Sequence, residues 1–250
     1  MTPVRDRTAW LLGGKAVCHQ PPTLVDRAWR LVLLGPPGSG KGTQAELLTH
    51  ALGACPLSTG DVFRAARDRP APPGSAMAAA QEQMARGELV TDDTVLSLIH
   101  ERGRCLHCSG GFMLDGFPRT VAQAEAIDTL LDAEDLQLDA VVSYELPTPE
   151  IIARLSDRRT CPACKAVFHV DTCRPKQDGV CDQCGGGLVQ REDDRPEAIH
   201  VRLEAYQSAT VPLTDHYEKR GLLFPISAAD QPAEILARTL DALAIRVLGL

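Results

Sequence analysis

The chain is poor in aromatic side chains: two Trp, three Tyr and five Phe make up 4% of its 250 residues. Proteins that grip single-stranded nucleic acid stack bases on aromatic platforms, so this scarcity speaks against such a role. Basic residues are not in excess either. Lys and Arg number 26 against 33 Asp and Glu, for a formal net charge of −7, the wrong sign for general nucleic-acid binding. No apolar run approaches the roughly 20 residues of a membrane-spanning helix. Near the N-terminus only Trp10-Leu11-Leu12 forms an apolar block, shorter than the core of a secretory signal. The cytoplasm is the expected compartment, with no membrane partner. Apolar residues (44%) and cysteines (nine) are plentiful. The first allow a sizeable core. The second, in a reducing compartment, point to metal or redox use before disulfides.

Residues 1–29 show no clean period and contain Pro21-Pro22, so they are expected as an extension outside the main fold, partly disordered. Beyond them, short apolar runs alternate with helical stretches. Strands are expected at Arg30–Leu34, Ala54–Leu57, Gly111–Asp115, Ala140–Leu146 and Leu222–Ile226. Helices are expected over 41–52, 90–102, 121–131 and 149–159, and from caps at Asp194 and Asp230. Residues 61–89 read as helical with a break at Pro70, Pro72, Pro73 and Gly74. Strands alternating with helices predict a parallel α/β sheet.

Directly after the first strand comes Gly35-Pro36-Pro37-Gly38-Ser39-Gly40-Lys41-Gly42-Thr43, which opens a helix. In that setting glycines let backbone N–H groups turn around a phosphate, and the helix N-terminus adds partial positive charge. Lys41 supplies a full charge to the β- and γ-phosphates of a nucleoside triphosphate. The general pattern wants Ser or Thr directly after the lysine; here Gly42 stands there and Thr43 follows.

Cys161 and Cys164, then Cys181 and Cys184, form two C-x-x-C pairs within one turn-rich segment. That spacing predicts a four-thiolate, closed structural site, with Zn²⁺ the first candidate and iron or cobalt as alternatives. A module of about thirty residues has too little core to fold alone, so metal binding would supply its stability. Cys105 and Cys108 make a third pair with no second pair beside it, and a weak redox or metal signal.

The motifs GPPGSGKGT, STGDVFR, ELVTD, DGFPRT with Gln123, and RRTCPAC…CDQC…QREDD occur in this order. The chain resembles the adenylate kinases of the long, lid-bearing bacterial type over about residues 30–245, and the Gly42-Thr43 ending is that family's own form. The resemblance implies a P-loop NTPase-type α/β fold: a five-stranded parallel sheet flanked by helices. A core of residues 30–57, 90–159 and 192–250 would carry a helical AMP-binding insert at 58–89 and a zinc lid at 160–191. It implies reversible phosphoryl transfer from MgATP to AMP, giving two ADP, by a monomer.

The implied ATP-binding residues are Gly38, Ser39, Gly40, Lys41, Gly42, Thr43, Arg154, Arg158, Val167 and Phe168. Those for AMP are Thr59, Arg64, Glu88, Val90, Gly116, Arg119, Gln123, Arg191 and Arg202. Asp115, and with it Asp61, is expected near Mg²⁺, directly or through water; a helix N-cap is the competing role for Asp61. Phosphoryl transfer needs cations around the moving group more than a base, and Lys41, Arg119, Arg154, Arg158, Arg191 and Arg202 are the expected set. Arg154 and Arg158, four apart, would share one helix face. Thr59 favours AMP, because related pyrimidine monophosphate kinases have alanine there. The alternatives are a UMP or CMP kinase, an inactive nucleotide-binding relative, and a zinc-ribbon nucleic-acid binder carrying a P-loop.

Overall fold

A computed structural model describes residues 6–13, 16, 18, 27–66, 70–86, 90–164 and 166–248. In chain order the elements are α1 Thr8–Leu12, β1 Trp29–Leu34, α2 Lys41–Leu52, β2 Cys55–Ser58, α3 Thr59–Ala66, α4 Ala76–Ala85 and α5 Asp92–His100. Then come β3 Gly111–Asp115, α6 Val121–Ala133, β4 Ala140–Glu145, α7 Thr148–Ser156, β5 Arg158–Thr160 and β6 Val167–His169. The chain ends with α8 Pro196–Ala205, α9 Val211–Lys219, β7 Leu223–Ser227 and α10 Pro232–Leu248.

Five strands form one parallel sheet in the order β2-β3-β1-β4-β7. Side chains alternate across a strand, and here both sets are apolar. Leu31 and Leu33 pack with Leu48, Met113, Val142, Tyr144, Ile151 and Ile199 on one face. Val32 and Leu34 pack with Leu57, Leu98, Phe112, Leu114, Ile127 and Tyr217 on the other. A sheet covered on both faces must be built from continuous apolar runs, which is why β1 and β4 were legible without any period. Parallel strands also bring their C-terminal ends to one edge, where an open α/β sheet holds its ligands. The glycine loop, Thr59 and Asp115 all follow or end strands at that edge.

Four local expectations need correction. The helix expected over 149–159 ends at Ser156, and Arg158 and Arg159 lie on β5. β5 pairs antiparallel with β6, Arg158 opposite His169 and Thr160 opposite Val167. Arg154 and Arg158 therefore do not share a helix face; strand pairing with a segment nine residues away overrode the local helical pattern. Asp194 does not cap α8. It ends a 3-10 turn, Glu192–Asp194, and Arg195 takes the cap position. Asp230 precedes α10 but pairs with Arg238 at 2.7 Å. Finally, the segment 1–29, expected outside the main fold, contributes α1 to it, and Trp10 of α1 has no exposed surface.

Candidate active site

The loop between β1 and α2 turns through three glycines with positive φ: Gly35 (138°), Gly38 (83°) and Gly40 (88°). At Gly38 a Cβ would also come within 2.8 Å of Leu155 Cγ, because α7 packs on the loop. At Gly42, by contrast, a Cβ would meet nothing within 4 Å, so packing does not demand glycine there. Lys41, the first residue of α2, folds back over the loop and donates to the carbonyls of Gly35 (2.6 Å) and Pro36 (2.8 Å). Burial lowers its pKa from 10.5 to about 8, against the opposing pull of Asp115. Ser39 is fully buried, yet its hydroxyl has no protein partner. An orphaned buried donor, a lysine and a helix N-terminus with free amides together suit a polyphosphate.

Asp115 ends β3 beside this loop. Burial raises its pKa, while Lys41 and a hydrogen bond from Ser58 act the other way. Both oxygens of Asp61, on α3, are engaged: Oδ1 by Arg64 at 2.6 Å and Oδ2 by Arg7 at 2.7 Å. These arginines lower its pKa although burial opposes them. Of the two carboxylates expected near a cation, Asp115 is the one that faces Lys41.

Thr59, Gly116, Arg119 and Gln123 meet at the ends of β2 and β3. Thr59 Oγ1 donates to the Gly116 carbonyl at 3.3 Å, and Arg119 Nε donates to the same oxygen at 2.8 Å. The Gln123 amide accepts from Arg119 N at 2.6 Å and donates to Asp92. Gly116 has φ 78°, and a Cβ there would approach Thr59 Oγ1 to 3.2 Å. Val90 packs partly buried against the core on this side. Glu88 lies outside the described residues, as do residues 67–69 of the proline-rich stretch.

The remaining cations arrive from the other side. Arg158 makes a two-pronged bond to Asp194, Nε to Oδ2 at 2.8 Å and Nη2 to Oδ1 at 2.6 Å. Arg202 of α8 donates to the same Asp194 Oδ1 at 3.2 Å and to the Asp193 carbonyl at 2.8 Å. Arg191 Nε donates to Thr160 Oγ1 at 3.0 Å, and burial together with Arg158 and Arg64 lowers its pKa to about 10. Burial lowers that of Arg119 too, with Arg202 adding to it. Lys41 in turn feels Arg119, Arg202 and Arg158. Like charges held near each other without a ligand raise their mutual free energy, which a bound anion relieves. Arg154 lies half-buried on the last turn of α7.

Asp194 is the side chain at this candidate site that sequence reasoning missed. It has no exposed surface and holds two of the converging arginines. The available signal is an acidic pair, Asp193-Asp194, set between Arg191 and Arg202, and an aspartate just before a helix resembles a cap.

The cysteine segment folds around its thiols. Cys161, Cys164, Cys181 and Cys184 bring their sulfurs within 4.8 Å of one another, with 3.4 Å between Cys161 and Cys184 and between Cys164 and Cys181. Gly186 lies against the cluster, where a Cβ would be 3.2 Å from Cys161 Sγ. Four sulfurs at these separations fit a tetrahedral ion such as Zn²⁺. Among the described residues the module's buried hydrophobic cluster is Cys161, Phe168 and Cys181. Phe168 is thus turned into the cysteine module, and Val167, its neighbour on the strand, points outward at 49% exposure. Cys105, of the third pair, is buried, which pushes its thiol up to about 12 and leaves it a poor nucleophile.

Against known proteins, the family model "Adenylate kinase" matches residues 33–222. An adenylate kinase from Carboxydothermus hydrogenoformans is 46% identical over 214 residues, covering 86% of this chain and 99% of the relative. One from Streptomyces avermitilis is 45% identical over 215 residues, covering 86% and 96%. One from Archaeoglobus fulgidus is 44% identical over 196 residues, covering 78% and 89%. A glycine loop with an orphaned buried serine and a buried lysine is accompanied by arginines from four other segments, the family model covers most of the chain, and the chain belongs to the adenylate kinase family.

Proposed function

We propose that Lys41, Arg119, Arg158, Arg191 and Arg202, with Arg154, form the charge-stabilising shell for in-line phosphoryl transfer from MgATP to AMP. The chain is an adenylate kinase, an ATP:AMP phosphotransferase. The observation that carries the reading is the fully buried Asp194 holding Arg158 and Arg202 together, two cations whose charge acts on Lys41 at the glycine loop.

The geometry supports the following roles. The amides of Gly38 to Thr43 and the Ser39 hydroxyl would bind the donor phosphates, and Lys41 would leave the carbonyls of Gly35 and Pro36 to reach them. Asp115 would hold Mg²⁺ through water; when bound, the ion neutralises charge on the donor phosphates. Arg64 and Arg119 would grip the acceptor phosphate with forked donors. An acceptor phosphate is already ionised, so no general base is required. Thr59, Gly116, Gln123 and the backbone at Val90 would line the adenine of AMP, with Gln123 releasing Asp92 or Arg119 N to do so. Residues 58–89 would act as the acceptor insert. Residues 160–191 would act as a zinc-braced lid that closes Val167 over ATP and excludes water, so that transfer to AMP outruns hydrolysis.

Four thiolates close the lid's metal site, which gives the metal a structural role. The chain would work as a cytoplasmic monomer without nucleic-acid or membrane partners; among the described residues no helix is long and apolar enough to cross a membrane. An acceptor panel of AMP, CMP, UMP and GMP at fixed MgATP tests the reading. AMP should turn over fastest, and faster turnover with CMP or UMP would sink the adenylate assignment.

A further inference from the structure

The acceptor insert leaves the core at β2 and is followed by α5, and α1 touches the end of β2 and the C-terminal end of α5. Trp10 Nε1 donates to the Ser58 carbonyl at 3.0 Å, the last residue of β2. The Trp10 carbonyl accepts from Arg102 Nε at 2.7 Å, just beyond α5, and Arg102 also donates to the Leu98 carbonyl at 3.2 Å. Arg102 is a buried arginine, 4% exposed, so its hydrogen bonds are costly to lose. The next residue back, Glu101, accepts from Ala76 N at 2.7 Å and so ties α4, inside the insert, to the same corner. At the other end of α1, Arg7 pairs with Asp61 Oδ2, while Arg64 holds Asp61 Oδ1. The three matched relatives named above align with 78–86% of this chain, and the family model begins at residue 33, so α1 lies outside it.

We propose that α1 is a brace across the hinge of the acceptor insert, and that Arg7 is a positioning residue for the acceptor phosphate, acting through Asp61 on Arg64. The inference rests on the reading of Arg64 as a phosphate holder. Its physics is charge compensation. Asp61 keeps Arg64 in place between turnovers, but when Arg64 turns to the phosphate, an unpaired carboxylate beside an incoming anion would repel it. Arg7 stays on Asp61 and neutralises it at that moment. Trp10 fixes the distance, because its ring is buried and its N–H is anchored at the insert's exit.

The test measures kcat, KM for AMP and KM for ATP in the full chain, for wild type, Arg7→Gln, Arg7→Lys and Arg7→Gln in an Asp61→Asn background. A partly exposed ion pair accounts for up to about 1 kcal/mol, so Arg7→Gln should raise KM for AMP roughly two- to fivefold. KM for ATP and kcat should move less than about 1.5-fold. Arg7→Lys should recover most of the loss, and with Asp61→Asn present Arg7→Gln should change nothing, since there is no carboxylate left to compensate. Trp10→Phe keeps the packed ring, loses the bond to Ser58 and should raise KM for AMP without a matching rise for ATP. The brace is overturned if Arg7→Gln leaves KM for AMP unchanged, raises both KM values alike, or has the same effect with and without Asp61. A wild type that fails to phosphorylate AMP would refute the proposed function itself, a result visible before any variant is made.

Discussion

Replacing Asp194 by Asn tests the arginine cluster most directly. The carboxylate has no exposed surface and accepts bonds of 2.6, 2.8 and 3.2 Å from Arg158 and Arg202. Asn keeps the shape and removes the charge, leaving two guanidinium groups beside each other with one neutral acceptor between them. Removing one partner of a buried ion pair costs about 3–5 kcal/mol. Arg158 and Arg202 keep 18% and 32% of their side-chain surface in solvent, and that screening reduces the cost to about 2–3 kcal/mol. In a chain of this size each kcal/mol lowers the melting temperature by about 2–4 °C. Calorimetry should therefore show a fall of roughly 4–12 °C. Turnover should drop at least about tenfold, because the two arginines lose the orientation that the carboxylate presets. A variant that melts within about 1 °C of wild type would refute the claim that Asp194 compensates buried charge. One with full turnover would refute the claim that it orients catalytic cations.

Two further outcomes follow from the donor site and the lid. Burial holds the Lys41 pKa at about 8 in the free protein. Its positive charge is then present below pH 8 and lost as pH rises through that value, so kcat/KM for ATP should fall above pH 8. Bound phosphate raises the pKa again, so ATP binding at pH 8–9 should take up protons, measurable by calorimetry in buffers of different ionisation enthalpy; Lys41→Ala should abolish both effects. In the cysteine module four sulfurs converge while, among the described residues, its buried hydrophobic cluster is just Cys161, Phe168 and Cys181. The purified protein should hold about one metal ion per chain by elemental analysis, and a strong chelator should lower its melting temperature. Absence of metal with no response to chelation would remove the lid's proposed brace.

Sequence by itself determined the sheet and the donor loop of this protein. Strands buried on both faces must be continuous apolar runs, and Leu31 to Leu34 has no other use. A phosphate loop needs glycines at fixed positions before a helix, so its chemistry is local and readable. The four cysteines were readable for the same reason: ligand identity and spacing are set by the ion. Tertiary structure alone decided three other matters. Arg158 sits on a strand because β6 offers it a partner, and pairing across a turn leaves no trace in helical spacing. Asp194 is buried because arginines from two separate elements close over it, whereas a carboxylate before a helix looks like a cap wherever it occurs. Trp10 belongs to the core because Ser58 and Arg102, about 50 and 90 residues away, supply its polar partners. A lone aromatic in an unpatterned stretch cannot reveal partners that distant, since hydrophobic burial depends on which surfaces the fold brings within reach.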